Sequence, residues 1–393
     1  MADRRTPTGP LLIVGSGPAG LEAARAYRQA GGDGEVVMVS ADEHLPYQRP
    51  PLSKDYLRGE SGLEDLPLEA PGFYQEQRIE VRLGMRARSL DRRARALTLD
   101  SGESLGYQCC VLATGADPVP LAVPGGGHAG IRLLRSRRDA DALRQAAGQA
   151  GSAVVVGSGF IGCEAAASLA RRGLHVTMVT AEDLPQAARL GAAAGERLGQ
   201  WLAEEGVALR PGAQVTRFDG GHRIVLGGGD VIDGDLILVA GGVSPQSGLA
   251  ADSGLAVAEG RIVADAGMRT SDPAVLTAGD AAYAMNAAAG RRLVVEHWGD
   301  AAAMGRVAGQ TAAGHDTAWA EVPGFWSTIG DRTLKYAAWG DGYDRARLTD
   351  RGAGGFTVWY ERAGAAVGVL TYQSDDDYER GRKLIAGAQP IPG

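Results

Sequence analysis

Three cysteines in 393 residues, Cys109, Cys110 and Cys163, set the first limit on this chain. The count is odd and no pair has C-x-x-C spacing, which excludes a disulfide framework and a structural zinc site, so no metal is expected. A reducing compartment suits such a chain, and a cytoplasmic location is expected. Also lacking is an apolar run near the ~18 residues that a spanning helix needs. Arg4 and Arg5 before Leu11-Leu12-Ile13-Val14 loosely resemble an export signal, but the apolar stretch is too short for one. Positive charge is not in surplus, since the formal net charge is −7. Phosphate backbones require clustered Lys and Arg, so no nucleic-acid partner is expected. Asp375-Asp376-Asp377 reads as a solvated acidic loop.

Glycine, by contrast, is abundant at 59 residues. The glycines sit among apolar runs rather than in polar low-complexity tracts, which points to tight turns and close backbone approach. With 45% hydrophobic and 22% charged residues, the chain has an ordinary globular composition and the length for two or three domains.

Residues 11–14 read as a buried strand. Gly15-Ser16-Gly17-Pro18-Ala19-Gly20 follows, then an alanine-rich helix over 21–29 and a strand over 35–39. The same order returns with a β-branched strand over 153–156, Gly157-Ser158-Gly159-Phe160-Ile161-Gly162, a helix over 164–171 and a strand over 175–179. G-x-G-x-x-G between a strand and a helix is a dinucleotide fingerprint. Its first glycine makes the turn, its second admits the pyrophosphate, and its third lets helix and strand pack closely. The helix N-terminus then faces the phosphates. Two such units imply two dinucleotides: a bound flavin, and a nicotinamide that comes and goes. The fold class expected is α/β with two Rossmann-like domains. After residue 320 aromatics become frequent and 355–360 and 366–371 alternate, which predicts a third, smaller α+β domain.

An acidic residue after the second strand of such a unit normally holds the adenosine ribose. Asp42 or Glu43 fits in the first unit. In the second, Thr180 stands directly after the strand, with Glu182 and Asp183 behind it. No Arg or Lys lies between 176 and 188 to meet a 2′-phosphate, so NADH is favoured, with NADPH possible.

Residues 44–59 read HLPYQRPPLSKDYLRG. Together with the two fingerprints, Ala113-Thr114-Gly115 and Thr277-Ala278-Gly279-Asp280, this string resembles the NAD(P)H-dependent ferredoxin reductase family. That family includes the putidaredoxin, rubredoxin and dioxygenase-component reductases and the apoptosis-inducing factor. The resemblance implies a glutathione-reductase-like arrangement. An FAD domain over 1–116 and 241–320 is interrupted by an NAD(P) domain over 117–240, and a C-terminal reductase domain covers 321–393.

It also implies residue roles. Gly15, Gly17 and Gly20 would form the FAD pyrophosphate turn, beside the Asp42 or Glu43 already read for the ribose. Arg49, Thr114 and Gly115 would contact the cofactor, and Asp280 its ribityl chain. Gly157, Gly159 and Gly162 would form the NAD turn; the acidic-residue rule above adds Glu182 for that nucleotide's adenosine ribose. Lys54 and Glu164 resemble the family's catalytic pair beside the flavin ring, where an ammonium stabilises the charge that arrives with hydride. In Glu296-His297-Trp298, Trp298 resembles the family tryptophan near the flavin. Asp300 and Met304 depart from the Asn and Gln expected there. Phe325-Trp326-Ser327 matches the start of the C-terminal domain.

The function implied is transfer of electrons from NADH through FAD to a ferredoxin or rubredoxin-like acceptor, by a monomer or homodimer with no membrane span. Three rivals stand beside it. A disulfide reductase needs a redox cysteine pair, whereas Cys109 and Cys110, adjacent on a strand, would point to opposite faces. An apoptosis-inducing-factor-like protein would use NADH as a switch for binding or signalling. A monooxygenase reading has no residue in its favour.

Overall fold

The computed structural model describes residues 10–391. Arg4 and Arg5, and with them the export-signal reading, lie outside the described residues. The first sheet has five parallel strands in the order Val275–Thr277, Cys109–Leu112, Leu11–Val14, Val36–Val39, Ile79–Arg82. Its central strand, Leu11–Val14, is buried along its whole length, as a covered parallel strand must be. Leu11 and Ile13 face one core. Leu12 and Val14 face another, beneath a three-stranded antiparallel sheet over 87–106. Cys109 and Cys110 divide between these two cores, on opposite faces as expected.

The first glycine turn leads into helix α1 (Pro18–Gln29). It opens earlier than the residue 21 read from the alanines, because Pro18 sits at the first helical position, where its missing N–H costs nothing. The second turn leads into α2 (Phe160–Arg171), again earlier than expected. The second sheet is also parallel, in the order Ala208–Arg210, His175–Val179, Ser152–Val156, Leu236–Val239, Ile131–Arg132. The chain passes between the two sheets through a two-stranded ribbon, Ala116–Pro118 antiparallel to Val243–Pro245. After the last strand of the first sheet comes α3 (Trp298–Ala312), which lies against α1 through small residues.

The C-terminal part is a five-stranded antiparallel sheet, in the order Gly324–Ile329, Arg332–Ala338, Ala365–Tyr372, Gly355–Arg362, Arg345–Gly352. Helix α4 (Asp375–Ala386) packs on it. The acidic run is therefore not a solvated loop. Asp375, Asp376 and Asp377 form the first turn of α4, where negative charge complements the helix dipole. Asp377 is buried and accepts hydrogen bonds from Arg351 and Thr357. No helix among the described residues is long and apolar enough to cross a membrane.

Candidate functional site

One cavity of about 1000 Å³ runs from the first glycine turn to the second. That is the upper end of the usual range for small-molecule sites, which is what an extended dinucleotide requires. Gly15, Gly17, Asp42, Arg49, Lys54, Thr114, Gly115, Gly159, Gly162, Glu164, Asp280 and Trp298 all line it.

The two turns are built alike. Gly15 and Gly157 have φ of 112° and 105°, a conformation that suits glycine. A Cβ at Gly15 would meet Ala113 O at 2.1 Å, and one at Gly157 would meet Ala240 O at 2.5 Å. At the third positions, a Cβ at Gly20 would stand 2.0 Å from Gly15 O, and one at Gly162 would stand 2.2 Å from Gly157 O. The middle glycines differ: Gly17 has nothing within 4 Å, and the nearest atoms to Gly159 lie at 3.9 Å. Turn, open approach and close packing thus fall on the first, second and third glycine of each unit, an arrangement that fits two pyrophosphates. Gly20 and Gly157 act from behind the wall and do not line the cavity.

The hydroxyls beside the turns repeat too. Ser16 Oγ lies 2.6 Å from Ser40 Oγ, and Ser158 Oγ lies 2.7 Å from Thr180 Oγ1. Asp42 N–H donates to Ser40 Oγ at 3.1 Å, and Glu182 N–H donates to Thr180 Oγ1 at 3.2 Å. Asp42 and Glu182 therefore hold equivalent places in the two units. Asp42 Oδ2 accepts from Tyr47 Oη at 2.7 Å at one end of the cavity, near Glu43 and His44. Glu182 does not line the cavity, and its Oε2 accepts from Ala188 N–H at 3.0 Å.

In the same cavity wall, Lys54 Nζ donates to Glu164 Oε2 at 2.7 Å, both residues being buried. Lys54 follows the short helical turn Pro50–Ser53, and Glu164 stands one turn into α2. Phe160 and Phe325 pack with ring centroids 4.4 Å apart, and His297 sits 4.5 Å beyond Phe325. Burial pushes the His297 pKa down to about 3, helped by the Arg189 guanidinium, so the ring is neutral at pH 7. Asp300, at the start of α3, has its carboxyl pushed up to about 7 by burial, against the pull of the Gly324 N–H that it accepts at 3.2 Å.

Several lining residues escaped the sequence reading. Arg135 Nη2 donates to Asp280 Oδ2 at 2.5 Å. Arg135 directly precedes Ser136, whose capping box with Asp139 was a readable signal for where the following helix starts. Arg189 also lines the cavity, as do Glu296 and His297 beside the expected Trp298. None of the three cysteines does. Burial pushes the Cys109 thiol up to about 12 and raises those of Cys110 and Cys163 as well.

Residues 9–305 match the family described as pyridine nucleotide-disulphide oxidoreductase. The chain is 33% identical over 389 residues to rhodocoxin reductase of Rhodococcus erythropolis, covering 97% of this chain and 90% of that one. It is 34% identical over 329 residues to rubredoxin-NAD(+) reductase of Pseudomonas putida, covering 83% and 85%. It is 30% identical over 389 residues to apoptosis-inducing factor 3 of Homo sapiens, covering 97% of this chain and 64% of that one. Among solved structures, a ferredoxin reductase from Rhodopseudomonas palustris superposes with a TM-score of 0.92 at 31% identity, covering 97% and 95%. Putidaredoxin reductase, in its covalent complex with putidaredoxin, gives 0.91 at 29% identity, covering 97% and 94%.

Proposed function

The chain belongs to the pyridine nucleotide-disulphide oxidoreductase family, and on that premise we propose that it is an FAD-dependent ferredoxin reductase taking electrons from NADH. The observation that carries the reading is the meeting of two pyrophosphate turns at one cavity whose wall also holds the Lys54–Glu164 pair. Bound FAD supplies the conversion of a two-electron donor into a one-electron source.

The chain's own residues do the rest. Gly15, Gly17 and Gly20 shape the FAD pyrophosphate turn, and Asp42 takes the ribose. Arg49, Thr114, Gly115 and Asp280 line the cavity, with Arg135 fixing the Asp280 carboxylate. Trp298 is part of the same wall. Gly157, Gly159 and Gly162 shape the NADH turn. Glu182, placed as Asp42 is, favours NADH because a carboxylate repels a 2′-phosphate. Lys54 presents an ammonium where negative charge arrives, and Glu164 orients it. The domains we assign are 1–116 with 241–320, 117–240, and 321–393; the Ala116–Pro118 ribbon with Val243–Pro245 supports the two crossing points.

The acceptor we propose is a ferredoxin or rubredoxin-like protein, docking where Trp326 is 43% exposed at the cavity's mouth. A cytoplasmic location accords with three free cysteines. Thiol chemistry has no support in the site, since the cysteines stand away from the cavity.

Anaerobic stopped-flow absorbance tests the reading. Rapid bleaching of the yellow protein by NADH, followed by reoxidation on adding a [2Fe–2S] ferredoxin, is the expected result. Bleaching by neither NADH nor NADPH would sink it. The likeness to apoptosis-inducing factor 3 keeps one alternative open, an NADH-responsive binding protein. Slow acceptor reduction with NADH-dependent dimerisation in gel filtration would favour that alternative.

A further inference from the structure

The Lys54 ammonium accounts for one of four hydrogen bonds that Glu164 accepts. Oε2 takes Lys54 Nζ at 2.7 Å and Ser53 Oγ at 2.5 Å. Oε1 takes Ser327 Oγ at 2.7 Å and Thr328 N–H at 3.3 Å. A carboxylate offers about four acceptor sites, so both oxygens are saturated. The donors come from two distant stretches, the turn over 50–54 and the strand Gly324–Ile329, and converge on α2. Glu164 is 4% exposed, Ser53 5% and Ser327 0%, so water cannot stand in for a lost donor.

The two serines are not held alike. Ser53 is gripped twice by α2, because Ser168 Oγ, one turn beyond Glu164, donates to Ser53 O at 2.8 Å. Ser327 reaches Glu164 from the C-terminal sheet with its side chain alone. Strand alternation puts Phe325 and Ser327 on the buried face and Trp326 on the outer one. The strand that shows Trp326 to solvent therefore also fixes Glu164 inside.

We infer that Ser327 is a positioning residue for the hydride transfer proposed above, acting through Glu164 on Lys54. Its hydroxyl holds the Glu164 rotamer in which Oε2 points at Lys54 Nζ, and so sets where the ammonium stands at the cavity wall. With that donor gone, Oε1 keeps only the longer Thr328 N–H bond, and the carboxylate is free to turn away from the lysine. The inference rests on the ferredoxin-reductase reading, and of its two readouts the potential is independent of NADH turnover.

The test uses the flavin-loaded protein in four forms: unsubstituted, Ser327→Ala, Lys54→Met, and the double variant. Two readouts are taken, the rate of flavin bleaching at saturating NADH and the flavin midpoint potential by dye equilibration. Ser327→Ala is expected to slow bleaching about tenfold, the weight of a hydrogen bond to a charged group. The NADH dissociation constant should stay unchanged and the potential should move to a more negative value. In the Lys54→Met background, Ser327→Ala should change neither readout, because its effect runs through the lysine. Equal effects in both backgrounds, or no effect in either, would overturn the inference. Ser53→Ala, which strips a donor from the other oxygen, should lower the potential in the same direction, and an unmoved potential there would count against the cradle. An unsubstituted protein that NADH does not bleach would defeat the proposed function instead, and the potentials alone would then decide the role of Ser327.

Discussion

Gly305 of α3 rests on Ala19 of α1 so closely that a methyl group at 305 would stand 2.2 Å from the Ala19 carbonyl oxygen. The neighbour is backbone and cannot swing aside. One turn on, Gly309 stands in the same relation to Ala23 O, at 2.2 Å. Since α1 carries the first glycine turn at its head, this contact braces the wall of the cavity.

Gly305→Ala is accordingly expected to destabilise the protein by about 3 kcal/mol through overpacking. Urea unfolding of the flavin-loaded protein measures it. Flavin should also dissociate more readily, since α1 must shift. A stability within error of the unsubstituted protein would mean that the two helices part without cost.

Lys54→Met removes the ammonium while keeping most of the side chain's bulk. Loss of one electrostatic stabiliser of developing charge costs on the order of a hundredfold in rate. Stopped-flow bleaching at saturating NADH should fall by that factor, with the flavin still bound. An undiminished rate would remove Lys54 from the mechanism.

Asp300 supplies a prediction about pH. Its folded pKa of about 7 lies above the ordinary aspartate value of 3.8, so the folded state holds a proton that the unfolded chain gives up. The stability tied to that proton is whole below pH 4 and is lost as pH rises through 7. Asp300→Asn should therefore stabilise the protein at pH 8 by about 4 kcal/mol, less at pH 5, and hardly at all near pH 4. Urea midpoints for both proteins across that range decide it, and a gain independent of pH would assign the effect to something other than ionisation.

Glu182 bears on nucleotide choice. NADH should bleach the flavin faster than NADPH, and Glu182→Arg should move the ratio of second-order rate constants toward NADPH by about tenfold, the weight of one charge–phosphate contact. An unchanged ratio would show that the 2′ position is read elsewhere, and Arg189 at the cavity wall would be the next residue to replace.

The periodic parts of this molecule were legible from sequence. Both β-turn-α-β units form where the glycines stand, because strand, turn and helix are local decisions taken within some thirty residues. Two differences between sequence and structure are local as well: α1 starts at Pro18, ahead of its alanine run, and the acidic run opens a helix rather than a loop. What propensity could not give were the pairings over distance. Lys54 and Glu164 lie 110 positions apart, and only the family resemblance brought them together. Arg135 and Asp280 are 145 positions apart and carried no such clue. Ser327 was noticed as part of a matching string, yet nothing in that string tells which way its hydroxyl points. Strand alternation gives the face once the strand is known, and only the packing of the sheet against α2 gives the partner.

The interleaving of the two sheets has a consequence for the order in which the chain can fold as it is made. The strands over 131–239 complete the second sheet from one continuous stretch. The first sheet must wait for Val275–Thr277 to close its edge, and α1 must wait longer still for α3. The nucleotide turn that leaves the ribosome first is thus among the last parts to be braced, and until then Cys109–Leu112 presents an unpaired edge. Slow, non-local closure of this kind leaves a nascent chain exposed to aggregation. A flavin that binds across Gly17 before α3 arrives would serve as a temporary brace for that half-built wall.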